Sequence, residues 1–356
     1  MPEGKKIVLV IPDLKGNGAE RFVITLSEAL IDAGHQPTII CFKKVIELAS
    51  GRPFDPLIFP MERLRWVPRQ WRAATVGRLL DRFILRHVGV PDLVLSNLLP
   101  VDRVLAGSRL PNVHLMVHNT VSQEHRAGLE GPNGARHRQV LEAIYLRKPC
   151  VCVSAGVMRD FQQMFPGNPE VTTIYNPVDV EFVRRSAAGE GLGMSDYLVH
   201  VGKFKEAKRH DILIRAYAES GIETPLVLLG TGPLKEKAEA QVRELGLEDR
   251  VIFAGFHANP YPVIAQSKGM VLSSDYEGLG LVILEALALD RPVISTDCPS
   301  GPGEILPPQN LVPVGDVPAL ARAMAAMDRD PAAFAAPLRP EFLPEHAVAA
   351  YLALAR

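Results

Sequence analysis

The sequence predicts an α/β protein with two domains, each built on a parallel sheet. Three observations support this fold class. The chain has 356 residues, which is more than one hydrophobic core usually supports. Short apolar runs alternate with longer amphipathic stretches, as they do where strands buried on both faces are joined by helices. The pattern stops at a glycine-rich segment near the middle of the chain and then begins again.

Apolar runs in both halves of the chain are predicted to be strands. In the first half they are residues 7–14, 37–42, 92–97, 113–119 and 151–154, and in the second half 197–201, 225–229, 251–253, 269–272 and 292–295. The stretches between them have the helical period that crossover connections need. The first run begins after two lysines, but its continuous apolar part stops at Pro12, so we predict a buried strand and not a signal peptide.

The interruption lies at residues 184–196, where glycines and alanines carry turn signals and leave little to bury. We therefore predict an N-terminal domain at 1–185 and a second domain at 186–340. The last segment, 341–356, ends in an Ala- and Leu-rich helix. We expect it to pack back on the N-terminal domain, as terminal helices of two-lobed proteins commonly do.

The composition narrows the class of function. Apolar residues make up 47% of the chain and charged residues 22%, which is globular and not disordered composition. A formal net charge of −1 gives no global electrostatic reason for nucleic-acid binding. No segment has the roughly 18 to 20 continuous apolar residues of a membrane span, so we expect a cytoplasmic protein that is soluble or peripheral to the inner membrane. The four cysteines lack zinc-site spacing and are expected to be buried thiols.

Two glutamates carry the strongest chemical signal. Glu277 and Glu285 are eight residues apart in a predicted helix, so both carboxylates are expected near one face of it, about 12 Å apart along its axis. Gly278 and Gly280 leave backbone amides open at the start of that helix, where a diphosphate binds well. Taken alone, the same residues also fit an ordinary helix start with solvated carboxylates.

Two strand exits in the second half are rich in lysine or glycine. Gly202 and Lys203 follow one predicted strand, with Lys208 close behind, and Gly230-Thr-Gly232 follows the next. In an open α/β sheet ligands bind beyond the carboxyl ends of the strands, and ammonium groups there suit a diphosphate leaving group. A solvated run of lysines is the alternative interpretation.

Together these segments resemble the retaining glycosyltransferases of family 4, which have the two-lobed GT-B fold and a signature of two glutamates separated by seven residues. The resemblance covers nearly the whole chain, and the motifs occur in the family's order. The matching segments are Gly202-Lys203 with Lys208, Gly230-Thr-Gly232, Ser274-Asp-Tyr-Glu277-Gly-Leu-Gly280, Glu285-Ala-Leu-Ala and Pro292-Val-Ile-Ser-Thr-Asp297 in the second half, and Gly16-Asn-Gly18-Ala-Glu-Arg21, Val117-His118-Asn119, Val153-Ser154 and Tyr175-Asn176-Pro-Val-Asp179 in the first. It implies two Rossmann-like domains that face each other across a cleft, the first on the acceptor side and the second binding a nucleotide sugar.

The resemblance implies a role for each matching position in the second domain. Glu277 and the amides after it would contact the donor sugar and diphosphate, and Glu285 would bind the ribose hydroxyls. Lys203 and Lys208 would neutralise the departing diphosphate, although the family usually has arginine at 203, whose bidentate fork orients a phosphate more tightly. The other donor-binding candidates there are Gly202, Gly230, Gly232, Phe256, Gly278, Leu279, Gly280 and Leu281. Because lysines and helix amides supply the positive charge, we expect no metal cofactor.

In the first domain the resemblance implies that His118 lies beside the donor sugar, although a lone histidine can equally be structural. Gly16 and Gly18 would form a loop that closes over the diphosphate. Residues 298–306 depart from the usual family form and resemble the branch that builds surface polysaccharides, lipopolysaccharide and lipid-linked glycans, often from UDP-sugars. Retention of the anomeric configuration is implied, and with no identifiable carboxylate nucleophile we expect a front-face displacement.

Residues 61–87 form a basic segment that contains both tryptophans of the chain. It has seven arginines against two acidic residues, which is typical of a segment that lies on an anionic membrane surface or holds a lipid-linked phosphate. The alternative is a solvated helix whose tryptophans pack in the core. The acceptor-side or membrane-side candidates are Arg63, Arg65, Trp66, Arg69, Trp71 and Arg72. Residues 124–138, with three glycines, are predicted to be a mobile loop or a poorly formed helix near His118.

Other functions remain open at this point. A sugar phosphorylase or a nucleotide-sugar epimerase would share the fold, and a catalytically silent protein could bind a nucleotide sugar or a membrane. A dinucleotide oxidoreductase is disfavoured, because the segment at 16–21 lacks the third glycine of that fingerprint. The DxD pair at 328–330 lies at a predicted helix end far from the other motifs, and we interpret it as chance.

Overall fold

The protein is described by a computed structural model over residues 4–16, 18–48, 50–64 and 69–355, with the backbone alone for 69–73. Contacts divide the chain into two compact units. Unit 1 comprises Met1–Pro177 and Glu341–Arg356, and unit 2 is Val178–Pro340.

Over its described residues, unit 1 is a seven-stranded parallel sheet with helices between the strands. The strands are β1 (Lys6–Ile11), β2 (Gln36–Cys41), β3 (Leu57–Ile58), β4 (Leu93–Asn97), β5 (Val113–Val117), β6 (Cys150–Cys152) and β7 (Val171–Thr173), in the order β3-β2-β1-β4-β5-β6-β7. The helices are α1 (Gly18–Asp32), α2 (Arg69–His87), α3 (Leu99–Leu105), α4 (Val121–Glu124), α5 (Arg126–Glu130), α6 (Gly134–Tyr145) and α7 (Ala155–Met164). Strands β1, β4 and β5 are buried along almost their whole length, which explains their continuous apolar sequences.

Unit 2, which is described throughout, is a six-stranded parallel sheet of the same kind. Its strands are β8 (Leu198–Val201), β9 (Leu226–Leu229), β10 (Val251–Gly255), β11 (Gly269–Leu272), β12 (Val293–Thr296) and β13 (Leu311–Val312), in the order β10-β9-β8-β11-β12-β13. Its helices are α8 (Val180–Ser186), α9 (His210–Ser220), α10 (Lys235–Glu244), α11 (Tyr261–Gln266), α12 (Leu281–Ala288), α13 (Pro302–Ile305) and α14 (Val317–Arg329). Short 3-10 helices include Glu206–Lys208 in unit 2 and Met61–Leu64 in unit 1.

The predicted fold class of two Rossmann-like parallel sheets is confirmed. Each of the ten predicted runs contains a strand. Strands β3, β7 and β13 were not predicted; they are two or three residues long and lie at the edges of the sheets. Such short edge strands bury little, so they leave no continuous apolar run to detect.

The boundary between the units falls at 177 and 178, earlier than the expected 185 and 186. Helix α8 belongs to unit 2 because its side chains pack there. Phe182 meets the ring of Tyr261 edge-on at 5.9 Å, and Arg184 Nε donates to the main-chain oxygen of Ala288 at 2.8 Å. The glycine-rich segment that suggested the boundary thus follows the first helix of unit 2.

The terminal helix α15 (Pro344–Leu354) packs on unit 1, as expected. Tyr351 is fully buried, and its ring lies 6.0 Å from that of Phe22 in α1. Lys5 Nζ donates to the main-chain oxygen of Ala355 at 2.8 Å. The C-terminal segment therefore completes the core beside α1.

Candidate functional site

The candidate residues of unit 2 meet at the switch point of its sheet. Strands β8 and β11 are neighbours in the sheet. The chain runs from β8 to β9 on one side of this pair and from β11 to β12 on the other side. In open parallel sheets the crevice beyond the carboxyl ends of two such strands is the usual ligand site. Lys208 follows β8, and Glu277 follows β11. The topology thus brings together two residues that are 69 positions apart in the chain.

Lys208 and Glu277 form a buried ion pair. The Lys208 Nζ lies 2.5 Å from Glu277 Oε1, and the side chains are 14% and 11% exposed. Ser274 Oγ donates to the same carboxylate oxygen at 2.6 Å. Burial by itself would raise the pKa of Glu277, but the charge of Lys208 and the two hydrogen bonds hold this pKa below its ordinary value. Among the described residues no donor reaches the other oxygen, Oε2, which leaves it for a ligand hydroxyl.

The two loops that carry this ion pair are tied to each other. Ser273 Oγ donates to the main-chain oxygen of Lys208 at 2.8 Å, and Asp275 N donates to Ala207 O at 2.9 Å. Arg209 Nη1 donates to Asp275 Oδ1 at 3.0 Å. Because main chain and side chain are both held, the Lys208 ammonium is preorganised and needs little reordering to meet an anion.

The two glutamates do not lie on one helix, so that prediction was wrong. Helix α12 begins at Leu281, and Gly280 before it has a φ of +88°, which a right-handed helix does not contain. Glu277 therefore lies in the preceding loop, while Glu285 lies in the helix. Glu285 is 8% exposed and accepts a hydrogen bond from the Tyr261 hydroxyl at 3.0 Å.

The loop from Glu277 to Gly280 is buried and braced by the segment after β12. Ser300 Oγ donates to the main-chain oxygen of Glu277. Gly301 has a φ of +87°, and a Cβ atom there would lie 2.3 Å from the main-chain oxygen of Leu279. The departure of residues 298–306 from the usual family form thus occurs where this segment supports the candidate donor loop.

The glycines at the exits of β8 and β9 allow two backbone segments to touch. Gly230 has a φ of +141°, and a Cβ atom there would lie 2.1 Å from the main-chain oxygen of Gly202. Gly232 has a φ of +156°, and its Cβ would lie 2.5 Å from Phe204 O. Phe204 N donates to Thr231 O at 3.0 Å. The glycines are therefore required by loop-to-loop packing, whatever binds beyond them.

Replacing Gly230 by alanine is expected to destabilise unit 2 by about 3 kcal/mol, because the left-handed backbone and the clash with Gly202 both oppose a side chain. Gly246→Ala is the matched control, since Gly246 has a φ of +64° and open space around a Cβ. The control should cost about 1 kcal/mol. Urea unfolding measures both, and equal losses would show that the Gly202 contact is unimportant.

The remaining candidates of unit 2 lie at the same carboxyl edge but are more exposed. Lys203, just after β8, is exposed, and Phe256, just after β10, is 46% exposed. Leu281 opens α12 after the buried Leu279. A single exposed apolar side chain is common on protein surfaces, so Phe256 stays a donor-binding candidate only through its place at this edge.

His118 lies at the exit of β5 in unit 1. Its Nε2 is 2.9 Å from Oδ1 of Asn97, the last residue of β4, and its ring meets that of Phe22 edge-on at 5.4 Å. Burial lowers the pKa of His118 to about 4, so the ring is neutral at physiological pH. Gly16 lies after β1, and Gly18 begins α1.

Most of the basic segment 61–87 is helix α2, which begins at Arg69. Val76, Leu80 and Ile84 on one side of it are fully buried, whereas Arg78 and Arg82 are exposed. Among the acceptor-side candidates, Arg63 is exposed in a 3-10 helix, Arg65 and Trp66 lie outside the described residues, and Arg69, Trp71 and Arg72 lie in the first turn of α2, where the backbone alone is described. Within the part of the chain that the structure describes, no helix is long and apolar enough to cross a membrane.

A cavity of about 430 Å³ lies at the carboxyl edge of the unit 1 sheet, next to this segment. Its lining residues are Pro12, Asp13, Phe42, Lys43, Met61, Glu62, Leu64 and Pro100. Because these residues follow β1, β2, β3 and β4, the cavity occupies the place where open α/β sheets bind ligands.

Residues 124–138 were predicted to be a mobile loop or a poorly formed helix, and the second alternative is nearer to the structure. Helix α5 ends at Glu130 and α6 begins at Gly134, with Gly131 in the turn between these short helices. Asp328 accepts hydrogen bonds from Thr224 and Lys268, which supports a structural role. All four cysteines are buried and free.

Some residues of the site were missed by sequence reasoning. Ser274 lies in the quoted motif three residues before Glu277, and its hydroxyl could have been proposed as a partner. No sequence pattern indicated Tyr261 or Asn97. Tyr261 contacts Glu285 and Asn97 contacts His118, and in each pair the two residues belong to different elements.

Two family models match the chain. The model described as Glycosyltransferase Family 4 matches residues 16–182, and the one described as Glycosyl transferases group 1 matches residues 195–330. The chain belongs to glycosyltransferase family 4. Both sheets of this family 4 protein, with the Lys208–Glu277 pair and the Asn97–His118 contact, lie within the matched ranges apart from the N-terminal strand β1.

The family 4 chain is similar to two enzymes of glycan synthesis. One is the N-acetylgalactosamine-N,N'-diacetylbacillosaminyl-diphospho-undecaprenol 4-alpha-N-acetylgalactosaminyltransferase of Campylobacter jejuni, with 36% identity over 154 residues. The other is the lipopolysaccharide 1,6-galactosyltransferase of Escherichia coli, with 29% identity over 188 residues. The alignments cover 43% and 51% of this chain and 42% and 52% of the relatives, so the chain spans about half the length of the relatives it matches.

Solved structures of the same fold cover the chain more completely. Anabaena HepE in complex with UDP and glucose has a TM-score of 0.69 at 19% identity, covering 99% of this chain and 95% of that one. Sucrose-phosphate synthase from Thermosynechococcus elongatus has a TM-score of 0.71 at 20% identity, covering 99% and 96%. These similarities show that the family 4 protein has the GT-B fold.

Proposed function

We propose that the protein is a retaining glycosyltransferase that moves a hexose or N-acetylhexosamine from a UDP-linked donor to a saccharide acceptor in lipopolysaccharide or surface polysaccharide synthesis. The observation that carries this proposal is the buried Lys208–Glu277 pair at the switch point of the unit 2 sheet. It offers a held ammonium for a diphosphate and a carboxylate oxygen for sugar hydroxyls. The UDP complexes of HepE support the choice of base.

The proposed reaction is a front-face displacement. The bond between the anomeric carbon and the diphosphate oxygen breaks, and the acceptor oxygen bonds to the same face of that carbon. The acceptor proton passes to the departing phosphate oxygen, so the products are UDP and the glycosylated acceptor. Glu277 is held by Lys208 and Ser274, which suits a hydrogen-bond acceptor better than a nucleophile. Mass spectrometry that trapped a glycosyl-Glu277 adduct would contradict this mechanism.

The charge of the leaving group would be balanced by protein groups without a metal ion. Lys208 and Lys203 provide ammonium groups at the exit of β8, and the amides at the start of α12 point toward the same edge. Charge that is already in place stabilises the diphosphate as its negative charge grows. Transfer activity is accordingly proposed to persist in excess EDTA, and a loss restored by Mg²⁺ would refute this point.

The acceptor is proposed to be lipid-linked and to bind unit 1, with the protein at the cytoplasmic face of the inner membrane. The cavity at the carboxyl edge of the unit 1 sheet and the exposed arginines of α2 support this. The name of the Campylobacter jejuni relative includes a diphospho-undecaprenol carrier. Sedimentation with anionic vesicles tests the membrane part, and no sedimentation at low salt would contradict it.

UDP at a concentration about a hundredfold above its Kd is expected to raise the melting temperature by about 5 °C, because a ligand that binds only the folded state stabilises it by about 2.7 kcal/mol. Glu285→Ala should abolish most of this rise. The matched control is Glu236→Ala, an exposed residue of α10, which should keep it. No rise with any nucleoside diphosphate or nucleotide sugar would remove the support for a donor site.

A further inference from the structure

The amide of Asn97 has one possible orientation. Asn97 is fully buried at the end of β4, and its Nδ2 lies 3.2 Å from the main-chain oxygen of Val10 and 3.3 Å from that of Leu95. Carbonyl oxygens can only accept hydrogen bonds, so the amide nitrogen must face them. The amide oxygen, Oδ1, therefore faces His118.

This orientation determines the tautomer of His118. Oδ1 of Asn97 is an acceptor, so the Nε2 of His118, 2.9 Å away, must carry the proton and donate it. A neutral imidazole has one N–H, which leaves Nδ1 with a lone pair. Nδ1 has no hydrogen-bond partner among the described residues, and it is not among their fully buried polar atoms without a partner. It is therefore open to solvent or to a ligand.

We propose that Asn97 is a positioning residue that holds His118 in the Nε2–H tautomer, so that Nδ1 accepts a hydrogen bond from a hydroxyl of the bound sugar. The proposal rests on the proposed function, because it names how one side chain of unit 1 recognises a hydroxyl of a sugar substrate. The opposite tautomer would place an N–H at Nδ1 and set the Nε2 lone pair against Oδ1 of Asn97. A sugar hydroxyl can donate a hydrogen bond to Nδ1 of the Nε2–H tautomer. With the opposite tautomer, the hydroxyl would have to accept a hydrogen bond from Nδ1.

The surroundings of the ring keep it neutral and in place. Phe22 of α1 packs edge-on against the ring, and Asn97 of β4 holds Nε2; neither side chain titrates. Tyr351 of α15, behind Phe22, has a pKa well above its ordinary value because it is buried, so it is also uncharged. In the described part of the protein, burial is the cause of the low pKa of His118, and no charged group contributes to it.

The test is the nitrogen chemical shifts of the His118 ring in protein labelled with ¹⁵N-histidine, with His118→Gln to assign the signal. The expected spectrum is that of the Nε2–H tautomer, unchanged down to about pH 5 because the ring titrates near pH 4. An Nδ1–H tautomer in the unaltered protein would overturn the proposal, whether or not any variant folds.

Two variants test the part played by Asn97. Asn97→Leu removes the acceptor and should give a mixture of tautomers, together with an approximately tenfold loss of kcat/KM. Asn97→Asp places a carboxylate at Nε2, which should raise the pKa of His118 by about two units, from about 4 to about 6, so that the ring becomes cationic below that pH. The pH profile of kcat/KM should then recover at higher pH, which a merely structural change would not produce.

The matched control is Asn112→Asp. Asn112 Nδ2 also donates to a main-chain oxygen of unit 1, that of Asp92 at 3.0 Å, so its loss mimics the structural part of the Asn97 changes. It should leave the His118 spectrum and the pH profile unchanged. An unchanged tautomer in Asn97→Leu would refute the role of Asn97.

The spectrum needs no substrate, so it is independent of the UDP titration in unit 2. A failure of UDP stabilisation with the Nε2–H tautomer intact would count against the proposed function. The opposite result, with UDP stabilisation and the wrong tautomer, would count against the positioning role alone.

Discussion

Lys208→Met is expected to lower kcat by about 10²- to 10³-fold, because it removes a preorganised charge that the departing diphosphate needs. It should also destabilise unit 2 by about 3 kcal/mol, since the Glu277 carboxylate loses its partner while it remains buried. Steady-state kinetics with a nucleotide sugar donor and urea unfolding measure the two effects. The matched control is Lys237→Met, an exposed lysine of α10, which should change neither.

The double variant separates the role of the pair in stability from its role in transfer. Glu277→Gln combined with Lys208→Met replaces both charges by neutral groups, so much of the lost stability should return. The activity should not return, because the ammonium is still absent. If the double variant is as unstable as the sum of the single variants, the two residues are not coupled and the ion pair contributes little.

Acidification is expected to destabilise unit 2 steeply below pH 6.5. Burial lowers the pKa of His200 to about 4 and that of His210 to about 2, so the unfolded chain binds protons that the folded unit excludes. The stabilisation is complete above the ordinary pKa of about 6.5 and is lost as the pH falls toward those folded values. At about 1.4 kcal/mol per histidine and pH unit, the pair loses roughly 5 kcal/mol by pH 4.5. Hydrogen exchange of peptides from 198–220 measures this loss.

His210→Phe should remove about half of this acid sensitivity. Both ring nitrogens of His210 are buried without a partner, and the ring stacks on Phe204 with centroids 3.9 Å apart. A phenyl ring keeps the stacking and removes the unsatisfied atoms, so a gain of about 1 kcal/mol at neutral pH is also expected. His346→Gln, an exposed position in α15, is the control. An unchanged dependence on pH in His210→Phe would show that other groups cause the acid lability.

Much of the fold could be read from local sequence because burial on both faces of a parallel strand leaves a continuous apolar run. Strands β8 and β11 were predicted on this basis. Strands β3 and β13 were not predicted. An edge strand of two residues forms through hydrogen bonds to its neighbour and is too short to show an apolar run in the sequence. The boundary near α8 was displaced for a similar reason, because the contacts of Phe182 with Tyr261 decide to which unit the helix belongs.

The helix expected at 277–285 shows where local periodicity misleads. Eight residues fit two helical turns, but Gly280 takes a left-handed conformation and α12 begins after it. The spacing of the glutamates therefore indicated the family motif correctly, but the prediction that both lie on one helix was wrong. Every glycine can adopt a positive φ, so the sequence does not show which glycines do.

The sequence by itself determined the two parallel α/β units, the segments that carry Lys208, Glu277 and His118, and the resemblance to family 4, because these depend on composition and order along the chain. Tertiary structure alone decided that Lys208 pairs with Glu277 and that Oδ1 of Asn97 lies beside Nε2 of His118. The physical reason is that hydrogen bonds and ion pairs depend on distances of about 3 Å between residues on different strands. Such distances arise from the order of strands in the sheet, which the spacing of residues along the chain does not contain.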